Sequence, residues 1–451
     1  MQASDPIDRR KLAALRTRED DAFRARIPAS LGWLARARTS MPNGVPMAWM
    51  VSLFRHTVVA SHGEGAGFRD IDGNYYCDFN VSDLAMTMGY GNKAIAAAVA
   101  RAADKGTHFM MPVEDTLAVT EELARRVGLP CWQFTLSASG ANTEVMRLAR
   151  FVTGRTKILV FDGQYHGHID ESLVTPGDHG AIPVQLGTSA RIALDTVIVP
   201  FNDLAAAEAA LKANDIALVI TEPALTNCLL VEAAPGFLGG LHDLAQKYGA
   251  LFCLDEAHTF QFAYGGLTRA GNLASDFVTV GKGLGSGVSF ALYGMSRAMA
   301  DAMEKYRDCD IGPRGLATGG TTYGSTIAVA TARAALDEVL TPEGYDRITG
   351  LGTRLADGLD AAIQRRHLPW RAFRRGPRSG LCLSPDLPRN AAEAAFSMDA
   401  DFIDARRVYM ANRGQWDAVF SAGPQASFAH NAAEIDRYVE IVDAFLGEVL
   451  R

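Results

Sequence analysis

The sequence alternates between helical patterns and short runs of apolar residues from about Leu117 to Val280. The amphipathic pattern ANTEVMRLARFVTG, for example, is followed at once by the apolar run KILVFDG. Further runs of this kind are WQFTLS, IALVITEP, ALFCLDEA and DFVTVGKG. Short continuous apolar runs between amphipathic helices are typical of buried parallel strands. The alternation therefore predicts an α/β fold with a largely parallel sheet covered by helices on both faces.

The two ends of the chain depart from this alternation. Two strand-like runs surround Asp72-Gly73-Asn74 in FRDIDGNYYCDF, which is a β-hairpin signal. After about Thr326 a helical pattern leads into a stretch rich in Arg and Pro, a short strand and a final helix from about Asn431. We therefore predict a large domain over residues 66–325 and a small α+β domain over 326–451, with residues 1–65 packing against the small domain.

Composition narrows the class of protein. At 451 residues the chain exceeds what one hydrophobic core usually supports, which agrees with two domains. A net charge of -7 at pH 7 gives no general attraction to nucleic acid or anionic membranes, so we expect small-molecule partners only. The charged N-terminus and the lack of an apolar run of membrane-spanning length predict a cytoplasmic protein.

The cysteines show no metal-binding spacing. No CxxC pair or His-rich cluster accompanies them, so we expect reduced thiols, no disulfide framework and no metal. They are Cys77, Cys131, Cys228, Cys253, Cys309 and Cys382.

Two residues at predicted strand ends carry candidate chemistry. Asp255 closes the run ALFCLD, and Lys282 follows the run FVTV by two residues. Ligands of parallel sheets bind outside the carboxyl ends of the strands, where both side chains should converge. A lysine amine can attack an aldehyde once it is deprotonated, and an aspartate can keep the nitrogen of a pyridine-type ring protonated. Taken singly, the aspartate is as well explained by a helix cap and the lysine by solvation.

Two further segments follow predicted strands in the same way. Ser137-Ala138-Ser139-Gly140 opens a predicted helix, and small residues at a helix N-terminus offer backbone amides to a phosphate. Tyr165-His166-Gly167 places an aromatic side chain where it can stack on a planar ring. An ordinary serine N-cap and a common strand-end aromatic remain open alternatives for the two segments.

Together these residues resemble the class III aminotransferases of pyridoxal 5′-phosphate (PLP) fold type I, in the branch of the glutamate-1-semialdehyde aminomutases. The likeness runs from about Pro42 to the end of the chain. It rests on the ordered set Ser137 to Ser139, Tyr165-His166-Gly167, Glu222-Pro223, Asp255-Glu256, Lys282 and Gly320-Thr321.

The resemblance implies a large domain with a mostly parallel seven-stranded sheet, PLP as the cofactor and a homodimer with shared active sites. It implies that Tyr165 and Ala257 lie on opposite faces of the ring, and that Asn227 lies near the cofactor hydroxyl. Thr321 would reach the phosphate in the other subunit. The full set implied at the cofactor is Ser137, Ala138, Ser139, Tyr165, His166, Glu222, Asn227, Asp255, Ala257, Lys282, Gly320 and Thr321.

Departures from the family pattern bear on the substrate. The serine and arginine that grip a substrate carboxylate in the aminomutases are not recognisable in GVPMAWM, and Asp83 replaces an expected aromatic residue. An acid there disfavours a nearby substrate carboxylate unless an arginine such as Arg55 or Arg413 offsets it. Both departures argue against glutamate 1-semialdehyde as the substrate. The candidate substrate residues are Trp49, Asp83, His258, Arg413 and Trp416, each with packing or surface exposure as the alternative.

The resulting prediction is an aminotransferase that moves an amino group between an amine or amino acid and a carbonyl compound. Lys282 would hold PLP as a Schiff base in a ping-pong cycle through the pyridoxamine form, with Asp255 and Tyr165 as further catalytic residues. An isomerase on the same scaffold, either an aminomutase or a racemase, is the alternative. A short stretch from His168 to Pro200, where aminomutases carry a mobile lid, favours transfer. A non-catalytic binding protein is the remaining alternative.

Overall fold

The computed structural model describes residues 6–305, 315–316 and 318–451, and Cys309 lies outside the described residues. The helices are α1 (Arg9–Arg26), α2 (Pro28–Ala37), α3 (Met50–Leu53), α4 (Lys93–Lys105), α5 (Glu114–Val127), α6 (Ala138–Thr153), α7 (Ala190–Ala193), α8 (Leu204–Ala213), α9 (Phe237–Lys247), α10 (Gly266–Ala270), α11 (Arg297–Glu304), α12 (Thr326–Glu338), α13 (Pro342–Arg365), α14 (Ala391–Phe396), α15 (Ala400–Asn412) and α16 (Ala432–Val449). The strands are β1 (Ala60–Glu64), β2 (Gly67–Asp70), β3 (Tyr75–Asp78), β4 (Cys131–Thr135), β5 (Lys157–Phe161), β6 (Val174–Gly177), β7 (Gly180–Pro183), β8 (Thr196–Val199), β9 (Ile216–Thr221), β10 (Ala224–Leu225), β11 (Val231–Glu232), β12 (Leu251–Asp255), β13 (Phe277–Val280), β14 (Ala291–Met295), β15 (Arg371–Arg375), β16 (Arg378–Cys382) and β17 (Gln415–Trp416). Short 3₁₀ helices cover Pro42–Gly44, Thr259–Gln261 and Lys282–Gly285.

The described residues form two compact units. The central unit contains those of Lys93–Tyr345 together with Pro388–Ala395. The terminal unit contains those up to Asn92 together with Asp346–Leu387 and Phe396–Arg451. Within the part of the chain that the structure describes, no helix combines the length and the hydropathy needed to cross a membrane.

These units divide the chain at places that differ from the boundaries predicted at 65/66 and 325/326. Strands β2 and β3 belong to the terminal unit because they extend a sheet that also contains β1 and β17. Helix α12 belongs to the central unit because it packs against α4 and α5. Sheet pairing and helix packing, which involve distant parts of the chain, therefore set the division.

The central unit is built on a seven-stranded sheet in the order β4-β14-β13-β12-β9-β5-β8. Its neighbouring strands pair in parallel except for β14, which is antiparallel to both β13 and β4. The predicted α/β fold with a mostly parallel seven-stranded sheet is confirmed. Strands β8 and β14 were not among the runs identified in the sequence.

Helix α6 illustrates why the sequence folds as it does in the central unit. Ser137 caps its N-terminus, and Gly154 ends it in the left-handed conformation with φ of 70°. Between these caps, Ala141, Val145 and Leu148 share one buried face and pack with the apolar side chains of the sheet. This packing fixes the start of α6 at the end of β4.

The terminal unit contains the predicted hairpin, in which β2 and β3 pair antiparallel around the Asp72-Gly73 turn. Strand β17 extends this sheet by pairing in parallel with β3. Trp416 on β17 packs against Phe54, Phe68 and Tyr76. The final helix begins after the N-cap Asn431, as predicted.

Candidate active site

Asp255 and Lys282 lie at the same edge of the central sheet. Asp255 is the last residue of β12, and its register partner on the parallel strand β13 is Thr279, three residues before Lys282. Both residues therefore follow the carboxyl ends of adjacent parallel strands, where ligands of such sheets bind. The geometry brings together the two residues on which the sequence argument depends.

Asp255 is buried and surrounded by hydrogen-bond donors. One carboxylate oxygen accepts from the Ala257 amide at 2.9 Å and the Thr279 hydroxyl at 3.1 Å. The other oxygen lies 2.7 Å from the Asn142 amide nitrogen and 2.8 Å from His166 Nδ1. Burial raises the pKa of Asp255, but the contacts with His166, Ala257 and Asn142 outweigh burial and hold it below the usual value. Asp255 is therefore an anion enclosed by the protein.

Asn142 is a site residue that the sequence argument missed. Its side chain is fully buried and donates both to Asp255 and to the backbone carbonyl of His166, at 2.9 Å in the second case. Asn142 thus ties α6 to β12 and to the loop after β5. A polar residue on the buried face of an amphipathic helix was the available signal.

The backbone at Lys282 is held in an uncommon conformation. Its φ is 48°, which is left-handed and strained for a residue with a side chain, and it begins a 3₁₀ helix directly after β13. At the preceding residue, a Cβ atom on Gly281 would lie 3.3 Å from the Ala138 side chain. The loop that carries Lys282 is therefore packed closely against the first turn of α6.

The sequence predicts a phosphate site at the first turn of α6. The Ser137 hydroxyl accepts only from the Gly140 amide within this turn, at 3.1 Å, and helix geometry leaves the preceding amides without helical acceptors. The Ser139 hydroxyl accepts from the His168 amide at 3.0 Å. Gly167 makes this approach possible, because a Cβ atom there would lie 2.2 Å from Ser139 Oγ. The helix N-terminus therefore faces the loop that carries Tyr165.

Tyr165 and Glu222 are joined through the Tyr165 backbone. The Tyr165 amide donates to Glu222 Oε1 at 3.1 Å, and the Tyr165 side chain is 42% exposed. Its exposure is that of an aromatic residue whose ring is open to a ligand. Burial raises the pKa of Glu222 to about 7, although the Thr226 hydroxyl and the Tyr165 amide favour its ionised form. Glu222 thus holds the loop that presents Tyr165.

Asn227 offers a donor that the described residues leave unused. Its Nδ2 atom is buried and has no hydrogen-bond partner among them, and the same holds for His166 Nε2 and Asn142 Oδ1. A buried polar atom without a partner costs stability and usually awaits a ligand or water. A ring hydroxyl oxygen could accept a hydrogen bond from Asn227 Nδ2.

Glu256, next to Asp255, has a structural role. Its carboxyl group accepts from the Thr259 hydroxyl and from the amides of Leu267 at 3.1 Å and Thr268 at 2.5 Å. Gly266 allows this contact, because a Cβ atom there would lie 2.6 Å from Glu256 Oε1. Glu256 therefore fixes the start of α10.

The predicted substrate residues divide between the units. His258 lies in the central unit, where its Nδ1 is 2.5 Å from the Thr226 hydroxyl. Trp49, half exposed, precedes α3 in the terminal unit, and Asp83 lies there in a left-handed turn with φ of 53°. Trp416 is part of the aromatic core of that unit. The substrate roles of these residues stay predictions.

The two arginines proposed to offset Asp83 are engaged elsewhere in the terminal unit. Arg413 pairs with Glu19 at 3.0 Å and stacks on the Tyr409 ring at 3.2 Å. Arg55 pairs with Asp20 at 3.1 Å. These contacts give Arg413 and Arg55 structural partners without any substrate.

Gly320 and Thr321 lie in an exposed segment of the central unit. The Gly320 carbonyl accepts from the Tyr323 amide at 2.9 Å, which forms a turn. The hydroxyl of Tyr323 would lie 3.5 Å from a Cβ atom on Gly140. The turn therefore lies close to the first turn of α6, and Thr321 itself is open to solvent.

Comparisons with known proteins identify the family of this chain. The family model described as "Aminotransferase class-III" matches residues 52–407. The chain belongs to this family. The protein therefore has PLP fold type I, the fold of the class III aminotransferases, and PLP is its cofactor.

Individual class III relatives are similar over nearly the whole chain. A glutamate-1-semialdehyde 2,1-aminomutase of Gemmatimonas aurantiaca is 33% identical over 92% of this chain and 96% of its own length. The crystal structure of a glutamate-1-semialdehyde aminomutase from Pseudomonas aeruginosa has a TM-score of 0.93 at 33% identity, covering 99% of this chain and 100% of its own, and a Lys-to-Ala variant of it has been solved with PMP. An ω-transaminase from Sphaerobacter thermophilus has a TM-score of 0.86 at 26% identity, covering 93% of this chain and 97% of its own.

Proposed function

We propose that this class III protein moves an amino group at the edge of the central sheet, with Lys282 holding PLP. The observation that carries the proposal is the convergence of Lys282 and the buried anion Asp255 at the ends of adjacent parallel strands. Neither residue alone indicates this chemistry. A strained lysine beside an enclosed carboxylate is an arrangement typical of a working site.

The described residues fit PLP at each of its polar groups. The amides at the N-terminus of α6, from Ala138 onward, suit the phosphate. Asp255 supplies the negative charge that a protonated ring nitrogen requires, and the unpaired Asn227 amide suits the ring hydroxyl. Tyr165 offers its exposed ring to one face, and Ala257, a small side chain, leaves room on the other.

The positions of Lys282 and Asp255 assign a separate chemical role to each residue. When bound, PLP supplies a carbonyl carbon that binds amines and a ring that stabilises negative charge at the neighbouring carbon. Lys282 removes the proton from the substrate carbon that bears nitrogen and returns it at a second carbon. Asp255 stays ionised throughout, because four donors surround it.

We infer that the amino group moves within one carbon skeleton, as in an aminomutase. The relatives that support this inference are glutamate-1-semialdehyde aminomutases that match at least nine-tenths of both chains. An aminomutase is therefore the first candidate, ahead of the transfer between two molecules that the sequence predicted. In an aminomutase, the substrate must stay at the site until Lys282 has returned the proton.

Transfer between two molecules is the second candidate, because a specific observation favours it. The segment GVPMAWM lacks a recognisable Ser and Arg for a substrate carboxylate, and Arg413 is paired with Glu19. A site without that grip would release its carbonyl product more readily. The similarity to an ω-transaminase fits this second candidate.

One isotope experiment separates the two candidates. The purified holoenzyme is given ¹⁵N-labelled amino-carbonyl compounds, glutamate 1-semialdehyde among them, with and without an added unlabelled carbonyl acceptor. An aminomutase returns product with ¹⁵N on the neighbouring carbon in the absence of any second substrate. Product that forms only with an added acceptor, together with a free keto compound, would identify transfer between molecules.

We also propose a homodimer. Phe109, Met110 and Met111 expose 44%, 71% and 67% of their surface next to one another in the central unit, and Leu117 exposes 63%. Contiguous apolar surface of this kind marks an interaction site. Thr321 is exposed in the same unit, as a residue that contacts the other subunit's cofactor must be.

A further inference from the structure

Thr226 joins two buried ionisable side chains in the central unit. Its hydroxyl contacts Glu222 Oε2 and lies 2.5 Å from His258 Nδ1. Glu222 is 3% exposed and His258 is 5% exposed, while Thr226 is fully buried. Glu222 follows β9, and His258 comes three residues after the end of β12. The contact therefore links the ends of two neighbouring strands.

The hydroxyl of Thr226 carries one hydrogen, so it cannot donate to both neighbours at once. When Glu222 is ionised, Thr226 must donate to the carboxylate and accept from a proton on His258 Nδ1. When Glu222 is protonated on Oε2, it donates to Thr226, which then donates to His258 Nδ1. The neutral ring must in that case carry its proton on Nε2.

We propose that Glu222, Thr226 and His258 form a proton relay in which the protonation of Glu222 decides which ring nitrogen of His258 carries the proton. A proton that arrives at Nε2 moves the Nδ1 proton to the Thr226 oxygen, and the Thr226 proton passes to Glu222 Oε2. The reverse shift releases a proton from Nε2. His258 thus takes up and releases a proton without becoming a buried cation, whose desolvation is costly.

The surroundings of Glu222 suit such a relay. Burial raises the pKa of Glu222 to about 7, so both of its forms occur near neutrality. The ionisable groups that face Glu222 are His166, which lowers its pKa, the anion Asp255, which raises it, and Cys228. Burial raises the pKa of the Cys228 thiol to about 12, so it stays neutral while Glu222 titrates.

Asn227, whose side-chain amide is unpaired, directly follows Thr226, the middle residue of the relay. We assign Thr226 and His258 as positioning residues that set the hydrogen-bonding character of the pocket around the ring hydroxyl. This assignment rests on the proposed function, whereas the relay itself does not. The tautomer of His258 is therefore tested first and without substrate.

The first experiment follows ¹⁵N-labelled histidine and ¹³C-labelled glutamate carboxyl signals of the holoenzyme by NMR between pH 5.5 and 8.5. We expect the proton of His258 to move from Nδ1 to Nε2 as the pH falls, with the midpoint at which Glu222 titrates and without an imidazolium signal. An imidazolium at His258 in this interval, or an unchanged tautomer while Glu222 titrates, overturns the relay. Signals are assigned with Glu222→Gln and His258→Phe.

Thr226→Val and Thr226→Ser form the matched pair of variants. Valine keeps the shape but removes the hydroxyl, so we expect the tautomer of His258 no longer to change at the midpoint at which Glu222 titrates. Serine keeps the hydroxyl and should restore the shared midpoint. A shared midpoint in Thr226→Val overturns the relay. If that variant does not fold, the wild type and Thr226→Ser still decide the question.

The second readout is the pH titration of the absorbance of bound PLP. We expect its midpoint to shift by at least half a pH unit in Thr226→Val and to return in Thr226→Ser. If NMR shows the relay but the absorbance titration is the same in all three proteins, the positioning role is overturned and the relay stands. If PLP does not bind at Lys282 in any of them, the proposed function fails independently of the relay.

Discussion

His166 Nδ1 lies 2.8 Å from Asp255 Oδ2, and both side chains are shielded from solvent. The two residues are 89 positions apart in the sequence and come from the ends of different strands. His166 lowers the pKa of Asp255 against the opposing effect of burial. A buried carboxylate that is held in its charged form is the electrostatic basis of the proposed chemistry.

Replacement of Asp255 by Asn should therefore abolish most of the activity. The amide has the same shape but no charge, and it disrupts the contacts with His166 and Asn142. We expect turnover to fall roughly 100-fold or more, as for the loss of a single electrostatic contact in other enzymes. Steady-state kinetics with the substrate found in the isotope experiment provide the measurement.

Asp276→Asn is the matched control for this change. Asp276 precedes β13, at the amino end of the strands, and accepts from the Phe252 amide at 2.9 Å. Its replacement removes a partly buried carboxylate far from the strand ends that carry Lys282. Turnover that falls equally in both variants would show that Asp255 acts only through stability.

Gly167→Ala tests the packing between Ser139 and the loop that carries Tyr165. The new Cβ atom would lie 2.2 Å from Ser139 Oγ, at a residue with φ of 98°. Overpacking of this kind costs about 1–3 kcal/mol, and we expect it to appear as a weaker affinity for PLP. The affinity is measured by absorbance titration of the apoenzyme.

Gly154→Ala separates packing from backbone strain. Gly154 also has a positive φ, of 70°, but a Cβ atom there meets nothing within 4 Å. We expect this variant to lose about 1–2 kcal/mol of stability and to keep its affinity for PLP. An equal loss of affinity in both variants contradicts the predicted role of the Ser139 contact.

Met110→Asp tests the proposed dimer. A charge on the surface formed by Phe109, Met110 and Met111 should prevent burial of these side chains in an interface. We expect light scattering to report twice the chain mass for the wild type and the single chain mass for the variant. Phe396→Asp, at a side chain that is 89% exposed in α14, should remain a dimer. A wild-type monomer at micromolar concentration contradicts the proposal.

Protonation of the buried His430 should make the protein less stable in acid. Burial and the positive charge of Arg347 lower the pKa of His430 to about 3 in the folded chain. The unfolded chain binds a proton at this residue below about pH 6.5, and the folded chain does not. The contribution of neutral His430 to the free energy of unfolding is therefore fully present above pH 6.5. It falls as the pH decreases toward 3, by up to about 1.4 kcal/mol per pH unit.

Urea unfolding of the wild type and of His430→Gln at pH 7 and pH 5 measures this effect. Glutamine does not titrate, so the variant should be less stable at pH 7 but lose less stability on acidification. The difference between the two proteins should shrink as the pH falls. A difference that stays constant between the two pH values rules out His430 as the cause.

The α/β fold was largely predictable from the local pattern of apolar residues. The division of the chain into two units depends on contacts between distant residues, which a local pattern does not show. Runs such as ALFCLD and FVTV became β12 and β13 because a strand buried on both faces needs continuous apolar residues. Strand β17 has only two residues and forms because it pairs in parallel with β3. No local sequence pattern indicates this pairing. The same reason explains why β2 and β3 joined the terminal unit.

The positions of Asp255 and Lys282 at neighbouring strand ends were predictable, because each follows an apolar run that forms β12 or β13. Asn142 and Thr226 were missed because polar residues within helices or loops have many ordinary explanations. Their roles depend on contacts with residues far along the chain, such as Asp255 and His258. Arg413 shows the converse, because its pairing with Glu19 could not be foreseen from either position.

The most direct test of the account is reduction of the holoenzyme with borohydride followed by peptide mass spectrometry. Reduction fixes PLP to the amine that carries it, so we predict a phosphopyridoxyl group on Lys282 alone. The variant Lys282→Ala should acquire no such group under the same conditions. A label on any other lysine of the wild type, or an equal label in the variant, would show that Lys282 is not the residue that holds PLP.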